Sequence, residues 1–248
     1  MSASLKEELT ALVVRRAGAP ENADLFREPL VGFAAADDPL FARLPEVVGR
    51  HHILPRDLLP SAKTVMAFFA PFTKPIVDAN RRTGECAPEW QTAYLRTNRF
   101  LNALSEELVR FLAEKGIEAE MVRATHTYDP QLLKAPWSHR SAAFVAGLGR
   151  FGVNRMLITA KGCGGRYGSI VFAREVPYDA RNEEEYCVAR RGGSCTYCID
   201  RCPVGALAEG AFDRHACNCQ LLRNGEKFSE TGADCCGLCV VGPCAYIE

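Results

Sequence analysis

The chain has 248 residues, with 30 Lys and Arg against 30 Asp and Glu, so its formal net charge is zero. Hydrophobic residues make up 48% and charged residues 24%, which excludes a mostly disordered chain and allows one or two domains with a real core. Balanced charge leaves no sequence-level footprint for nucleic acid or for an anionic membrane.

The N-terminus carries acidic residues early and shows no secretory-signal pattern. The longest apolar run, Val65 to Phe72, has eight residues and contains Pro71, far short of the ~20 that a membrane span needs. A cytoplasmic protein with reduced thiols is therefore expected, and no membrane association. Ser4-x-x-Glu7 is a capping-box signature, and Leu5, Leu9, Leu12 and Val13 follow at helical spacing until Gly18 and Pro20. Residues 19–62 are Pro-rich and read as loops with short elements. Thr64–Ala70 reads as a buried strand, 89–115 as a long helix ending at Gly116, and 117–124 as a strand. A helix is expected over 138–146, and strands over 156–159 and 169–173. The polar stretch 177–186 marks a boundary. The division is an α+β domain over 1–176 and a small Cys-rich domain over 177–248.

Ten of the twelve cysteines fall between Cys187 and Cys244. Cys195-Thr-Tyr-Cys198-Ile-Asp-Arg-Cys202-Pro203 is C-x2-C-x3-C-P, the last three thiolates of the bacterial ferredoxin run. A [4Fe–4S] cube takes one thiolate at each iron, and a C-x2-C loop places two of them. The Cys before Pro leaves that loop for the other cluster. Val204–Leu207 is expected to start a helix. Cys236-x2-Cys239 repeats the tight loop. Two clusters follow: Cys187, Cys195, Cys198 and Cys244 for the first, and Cys202, Cys217, Cys236 and Cys239 for the second. Cys219 and Cys235 are near-neighbour spares that can exchange with Cys217 and Cys236. The run departs from the ideal: Gly192 stands where its first Cys belongs, and Pro243 precedes Cys244 instead of following it. Structural zinc and disulfides are the competing readings. Cys86 and Cys163 read as buried thiols. Cys163 lies in the loop Lys161-Gly-Cys-Gly-Gly-Arg166, which is flexible enough to approach a cofactor.

Residues 140–172, RSAAFVAGLGRFGVNRMLITAKGCGGRYGSIVF, with CTYCIDRCPVGAL after them, resemble the epoxyqueuosine reductases and the corrinoid-dependent reductive dehalogenases. The resemblance implies a nitroreductase-like α+β domain able to hold base-off cobalamin, followed by a two-cluster ferredoxin-like domain that feeds electrons to cobalt. A flavin in the same fold is the alternative cofactor. A reduced ferredoxin or flavodoxin is the implied donor. On this reading Gly147, Gly149, Gly152, Gly164, Gly165 and Gly168 allow close backbone approach to a cofactor. Arg140, Arg150, Asn154 and Arg166 are candidates for its polar groups. His126, Tyr128 and His139 are candidate proton donors. His51-His52 reads as a surface pair, and Trp90 and Trp137 as packing residues.

The sequence also departs from these families. Leu132-Leu133-Lys134 precedes Ala135-Pro136, where the epoxyqueuosine reductases carry a catalytic Asp; the nearest acid is Asp129. The chain lacks their further helical region, which with its zero net charge makes nucleic acid an unexpected partner. Two other functions compete: an electron carrier or reductive activator of a partner corrinoid protein, and a zinc-bound interaction module.

Overall fold

Ser4 starts the first helix as its spacing to Glu7 predicts. In the computed structural model, which describes residues 3–124 and 128–248, the Ser4 hydroxyl accepts from the Glu7 amide while the Glu7 carboxylate accepts from the Ser4 amide at 2.7 Å. Two otherwise orphaned donors are satisfied at one helix end. Helix α1 spans Leu5–Ala17. It is followed by β1 (Leu30–Ala35), α2 (Pro39–Val47), the single turn α3 (Pro55–Leu58), β2 (Thr64–Pro71), α4 (Lys74–Arg82) and α5 (Pro88–Glu114). Then come β3 (Ala119–Met121), α6 (His139–Val145), β4 (Gly149–Phe151), β5 (Leu157–Thr159) and β6 (Gly165–Phe172). The last elements are α7 (Tyr197–Asp200), β7 (Leu207–Ala208), β8 (Ala211–Phe212) and α8 (Arg214–Lys227). The architecture is α+β.

The described residues pack as two compact units. The first is built from residues 3–70, 98–124, 128–148 and 166–182, the second from 71–97, 149–165 and 183–248. The cysteine-bearing unit thus draws in two segments from before residue 176, and packing does not follow a single cut there.

In the first unit, a sheet runs in the order β1-β2-β6-β3 among the described residues. β1 pairs antiparallel with β2, from Leu30 opposite Phe69 to Ala35 opposite Thr64, and β3 pairs antiparallel with β6. Every residue of β2 is buried, which explains its unbroken apolar sequence. Leu9, Leu101, Leu104, Leu108, Phe33, Phe68 and Phe172 are among the largest wholly buried side chains of this unit. β1 and α2 are more regular than the loops expected over 19–62. Gly32 hides β1 from a propensity reading, yet it is required: the Ala146 carbonyl occupies the place of its Cβ. α2 begins with Asp38 as cap and Pro39 in its first turn.

His52 corrects the reading of His51-His52 as a surface pair, because it is 3% exposed. The Ser138 amide donates to its Nε2 at 3.2 Å, so the ring proton sits on Nδ1 and is donated to the Ile53 carbonyl at 2.8 Å. Protonating Nε2 breaks the first of these bonds. Burial lowers the His52 pKa; the bond to Ile53 opposes the shift, and the neighbouring His51 adds to it. Burial also lowers His139, to about 4, against a backbone hydrogen bond with Arg123 and with help from the Arg166 charge. Both rings are lowered in the folded state, so the unfolded chain binds more protons as pH falls below about 6.5, for His139 down to about 4. The stability these rings contribute is full at neutral pH and is lost through that window. The unfolding free energy should fall by up to about 2 kcal/mol for His139 between pH 7 and pH 5. Denaturant titrations of wild type and His139→Gln check this: the variant should show the shallower pH dependence.

Candidate metal centre

The second unit presents its thiols from short loops. Cys195 and Cys202 flank α7, a single turn that contains Cys198. Cys187, Cys195, Cys198, Cys239 and Cys244 line one cavity together with Asn154, Tyr197 and Pro243. All four thiols assigned to a first cluster are therefore in one place, with Cys239 beside them. Burial, and then the nearby Cys244, Cys187 and Cys195, push the Cys198 thiol up to about 11. Buried among these neighbours, Cys198 holds its proton in the absence of a cation, whereas Cys244 is lowered, above all by its contact with Cys163.

In the second group the thiols act on one another electrostatically. Burial raises Cys217, and Cys202 and Asp213 raise it further. Burial pushes Cys236 up to about 11, with Cys86, Cys217 and Cys202 adding to a shift that a backbone hydrogen bond opposes. Cys239 rises to about 12 through burial and then through Cys236, Cys217, Cys202 and Cys198. The Ala206 amide donates to the Cys202 Sγ at 3.2 Å. The two near-neighbour spares point elsewhere. Cys219 is exposed on α8, two residues and so about 200° around the helix from Cys217. Cys235 is buried, with its Sγ 3.7 Å from the Sγ of Cys86. All twelve cysteines are free thiols. Among the described residues, no three His, Cys, Asp or Glu side chains close on a single point.

The helix expected from Val204 does not form. Gly205 adopts φ +61°, and the chain turns into the β7–β8 hairpin. A helix appears only at α8, where the Asp213 carboxylate accepts from the His215 and Ala216 amides.

Helix α4, for which sequence reading drew no element, organises both cysteine groups. Asn80, wholly buried, donates from Nδ2 to the Cys236 carbonyl at 3.1 Å and accepts at Oδ1 from the Ala87 amide at 2.8 Å. Arg81 donates to the Val241 carbonyl at 2.7 Å and to that of Gly242 at 3.3 Å, just before Cys244. Arg201, beside Cys202, donates to the carbonyls of Arg81 and Thr83 at the C-terminal end of α4. A cation there also suits the helix dipole. Asn80→Ala leaves a buried N–H and a buried C=O without partners, and should lower the unfolding free energy by about 2–4 kcal/mol in chemical denaturation. The signal that was missed is Thr73 followed by Pro75, a helix start hidden by the preceding Pro71.

The remaining expected site residues divide differently. His126 lies outside the described residues. Tyr128 is exposed. His139 is tied to the Ser169 hydroxyl at 2.8 Å, which also accepts from the Trp137 indole at 2.9 Å; with its lowered pKa, His139 is neutral at pH 7. Asp129 accepts at Oδ1 from the Gln131 and Leu132 amides in its own turn. Arg140 lies on the surface. The place of a Cβ on Gly147 is taken by the Ala180 carbonyl, on Gly149 by the Ile158 carbonyl, and on Gly168 by the Phe68 ring. Gly152 is packed against Ile158 and Gly164 against Ala245 and Val77, and Gly165 is buried at the start of β6. These glycines serve the protein's own packing. Asn154 is the exception, because its amide faces the cysteines. Trp90 and Trp137 are core residues, 5% and 4% exposed.

Fold and thiols together describe an α+β protein with ferredoxin-type cysteine loops. The chain is 30% identical over 172 residues to the epoxyqueuosine reductase of Bacillus subtilis, a match covering 66% of this chain and 41% of that protein. It thus spans about two fifths of the length of the curated relatives it matches. An epoxyqueuosine reductase solved with an epoxyqueuosine-modified tRNA-Tyr stem loop aligns with TM-score 0.62 and 23% identity, over 97% of this chain and 65% of that one. A catabolic reductive dehalogenase aligns with TM-score 0.54 and 13% identity, over 76% and 26%. No protein-family model matches the chain. The chain is a relative of the epoxyqueuosine reductases, and it shares its fold with them and with the reductive dehalogenases. One such neighbour was solved with a tRNA stem loop, which weighs against the expectation that nucleic acid is not a partner. Among the described residues, no helix is long and apolar enough to cross a membrane.

Proposed function

We propose that the chain is a cytoplasmic iron–sulfur oxidoreductase holding two [4Fe–4S] clusters. Cys187, Cys195, Cys198 and Cys244 hold the first, and Cys202, Cys217, Cys236 and Cys239 the second. The observation that carries this is the cavity lined by all four thiols of the first group. Bound cubanes supply one-electron transfer over a potential range set by their surroundings. The protein's own part is to present eight thiolates, to donate the Ala206 N–H to the Cys202 sulfur and to lock the loops onto α4. The cluster-bearing part is 177–248 together with 71–97 and 149–165, which pack into the same unit; the rest of 1–176 is the nitroreductase-like part, and electrons enter from a reduced ferredoxin or flavodoxin.

The electron acceptor in the first domain is a corrinoid, by kinship with the two families. The glycines expected to cradle it are packed against protein atoms instead. His126, Tyr128 and His139 stand as the candidate proton-carrying side chains and Arg140 as a polar candidate; Asn154, also expected there, is engaged with the cysteine loops instead. Titration of anaerobic holoprotein with cob(II)alamin, and separately with FMN, tests the acceptor. A saturable spectral change with the corrin supports this reading, and one with FMN alone transfers it to a flavin. Binding of neither favours an electron carrier that activates a partner corrinoid protein.

A further inference from the structure

We propose that Cys163 and Asn154 are positioning residues that donate hydrogen bonds to the Cys244 sulfur and so raise the reduction potential of the first cluster. This rests on Cys244 being a ligand of that cluster. Cys163 is wholly buried, with its Sγ 3.9 Å from the Sγ of Cys244. A thiolate bound to iron carries no proton, so in that pair only Cys163 can donate.

The juxtaposition is built by backbone. The Cys163 amide donates to the Cys244 carbonyl at 3.0 Å, and the Gly164 amide to the Ala245 carbonyl at 2.9 Å. Gly162, at φ +90°, lies where a Cβ would overlap that same Ala245 carbonyl. The loop 162–164 is therefore fastened alongside 244–245, and the two sulfurs are held in register.

Asn154 supplies the second donor. It is 5% exposed, and its Nδ2 lies 3.6 Å from the Cys163 Sγ, 3.9 Å from the Cys244 Sγ and 3.3 Å from the Cys239 carbonyl. Its Oδ1 accepts from the Met156 amide at 3.1 Å, which turns the NH2 group towards the sulfurs. Hydrogen bonds to cluster sulfurs favour the more negative, reduced state and raise the potential. Neither side chain is needed to bind iron, which gives the wholly buried Cys163 a role that the eight ligands leave open.

EPR-monitored redox titration of anaerobic holoprotein tests the assignment. Wild type and Cys163→Ala should both retain two clusters. In the variant, the reduced-to-oxidised ratio of one cluster at a fixed applied potential should fall about tenfold, ~59 mV for a one-electron couple. The other cluster should not move. Cys163→Ser keeps a hydroxyl donor and should shift less. Asn154→Ala should shift the same cluster in the same direction, and it reads the effect if alanine at 163 prevents folding. Equal potentials in all variants, with both clusters present, overturn the inference and leave the proposed function standing. Loss of one cluster in both Cys163 variants makes Cys163 a ligand and also overturns it. A wild type without clusters removes the function and this inference together.

Discussion

Cys217→Ala should lower the iron content of anaerobically isolated protein by about half, while Cys219→Ala should leave it unchanged. Half corresponds to one of two four-iron cubes. The two cysteines are separated by one residue, and the motif spacing alone leaves them interchangeable. The helix separates them: Cys217 is half-buried and feels the Cys202 thiol, whereas Cys219 is exposed on another face of α8. Iron assay and visible absorbance of both variants give the answer. A loss of iron with Cys219→Ala and none with Cys217→Ala reverses the assignment.

The second large effect is expected at a residue without a side chain. Gly237 lies between Cys236 and Cys239 with φ +73°, and the Trp90 indole fills the place of its Cβ. Gly237→Ala therefore brings two costs. The left-handed conformation costs a residue with a Cβ about 1–2 kcal/mol, and overpacking adds about 1–3 kcal/mol. The unfolding free energy should drop by about 2–5 kcal/mol, with preferential loss of the second cluster, whose loop is distorted. A cycle with Trp90→Leu separates the two costs: the steric part should be relieved, and the backbone part should persist. A Gly237→Ala protein with wild-type stability contradicts this account of the loop.

Much of the frame was legible in the sequence because local chemistry and tertiary packing agree there. The capping box is closed within one turn by Ser4 and Glu7 alone, and the helical stripe in α5 is written by residues that the fold buries, Leu101, Leu104, Leu108 and Leu112. The C-x2-C spacing is local too, so the loops could be read directly. Other features depend on distant neighbours. Gly32 looks like a strand breaker until the Ala146 carbonyl is seen against it. His52 looks like a surface residue until the Ser138 amide is seen donating to it. Cys235 and Cys236 are adjacent and identical, and only the fold shows that Cys235 is buried with its Sγ 3.7 Å from that of Cys86, while Cys236 feels Cys217 and Cys202 as well as Cys86. Asn80 and Arg81, the residues that fasten the cysteine loops, carry no motif at all. The Gly-rich stretch was legible as a family mark, yet its glycines at 147, 149 and 168 answer to protein packing.

The most direct measurement is the metal content of protein purified without oxygen, combined with its low-temperature EPR spectrum after dithionite reduction. Two cubanes require about eight iron and eight sulfide per chain and a spectrum of reduced [4Fe–4S] centres. A colourless protein in which zinc, or no metal at all, accompanies these thiols would contradict the reading of the cysteine loops.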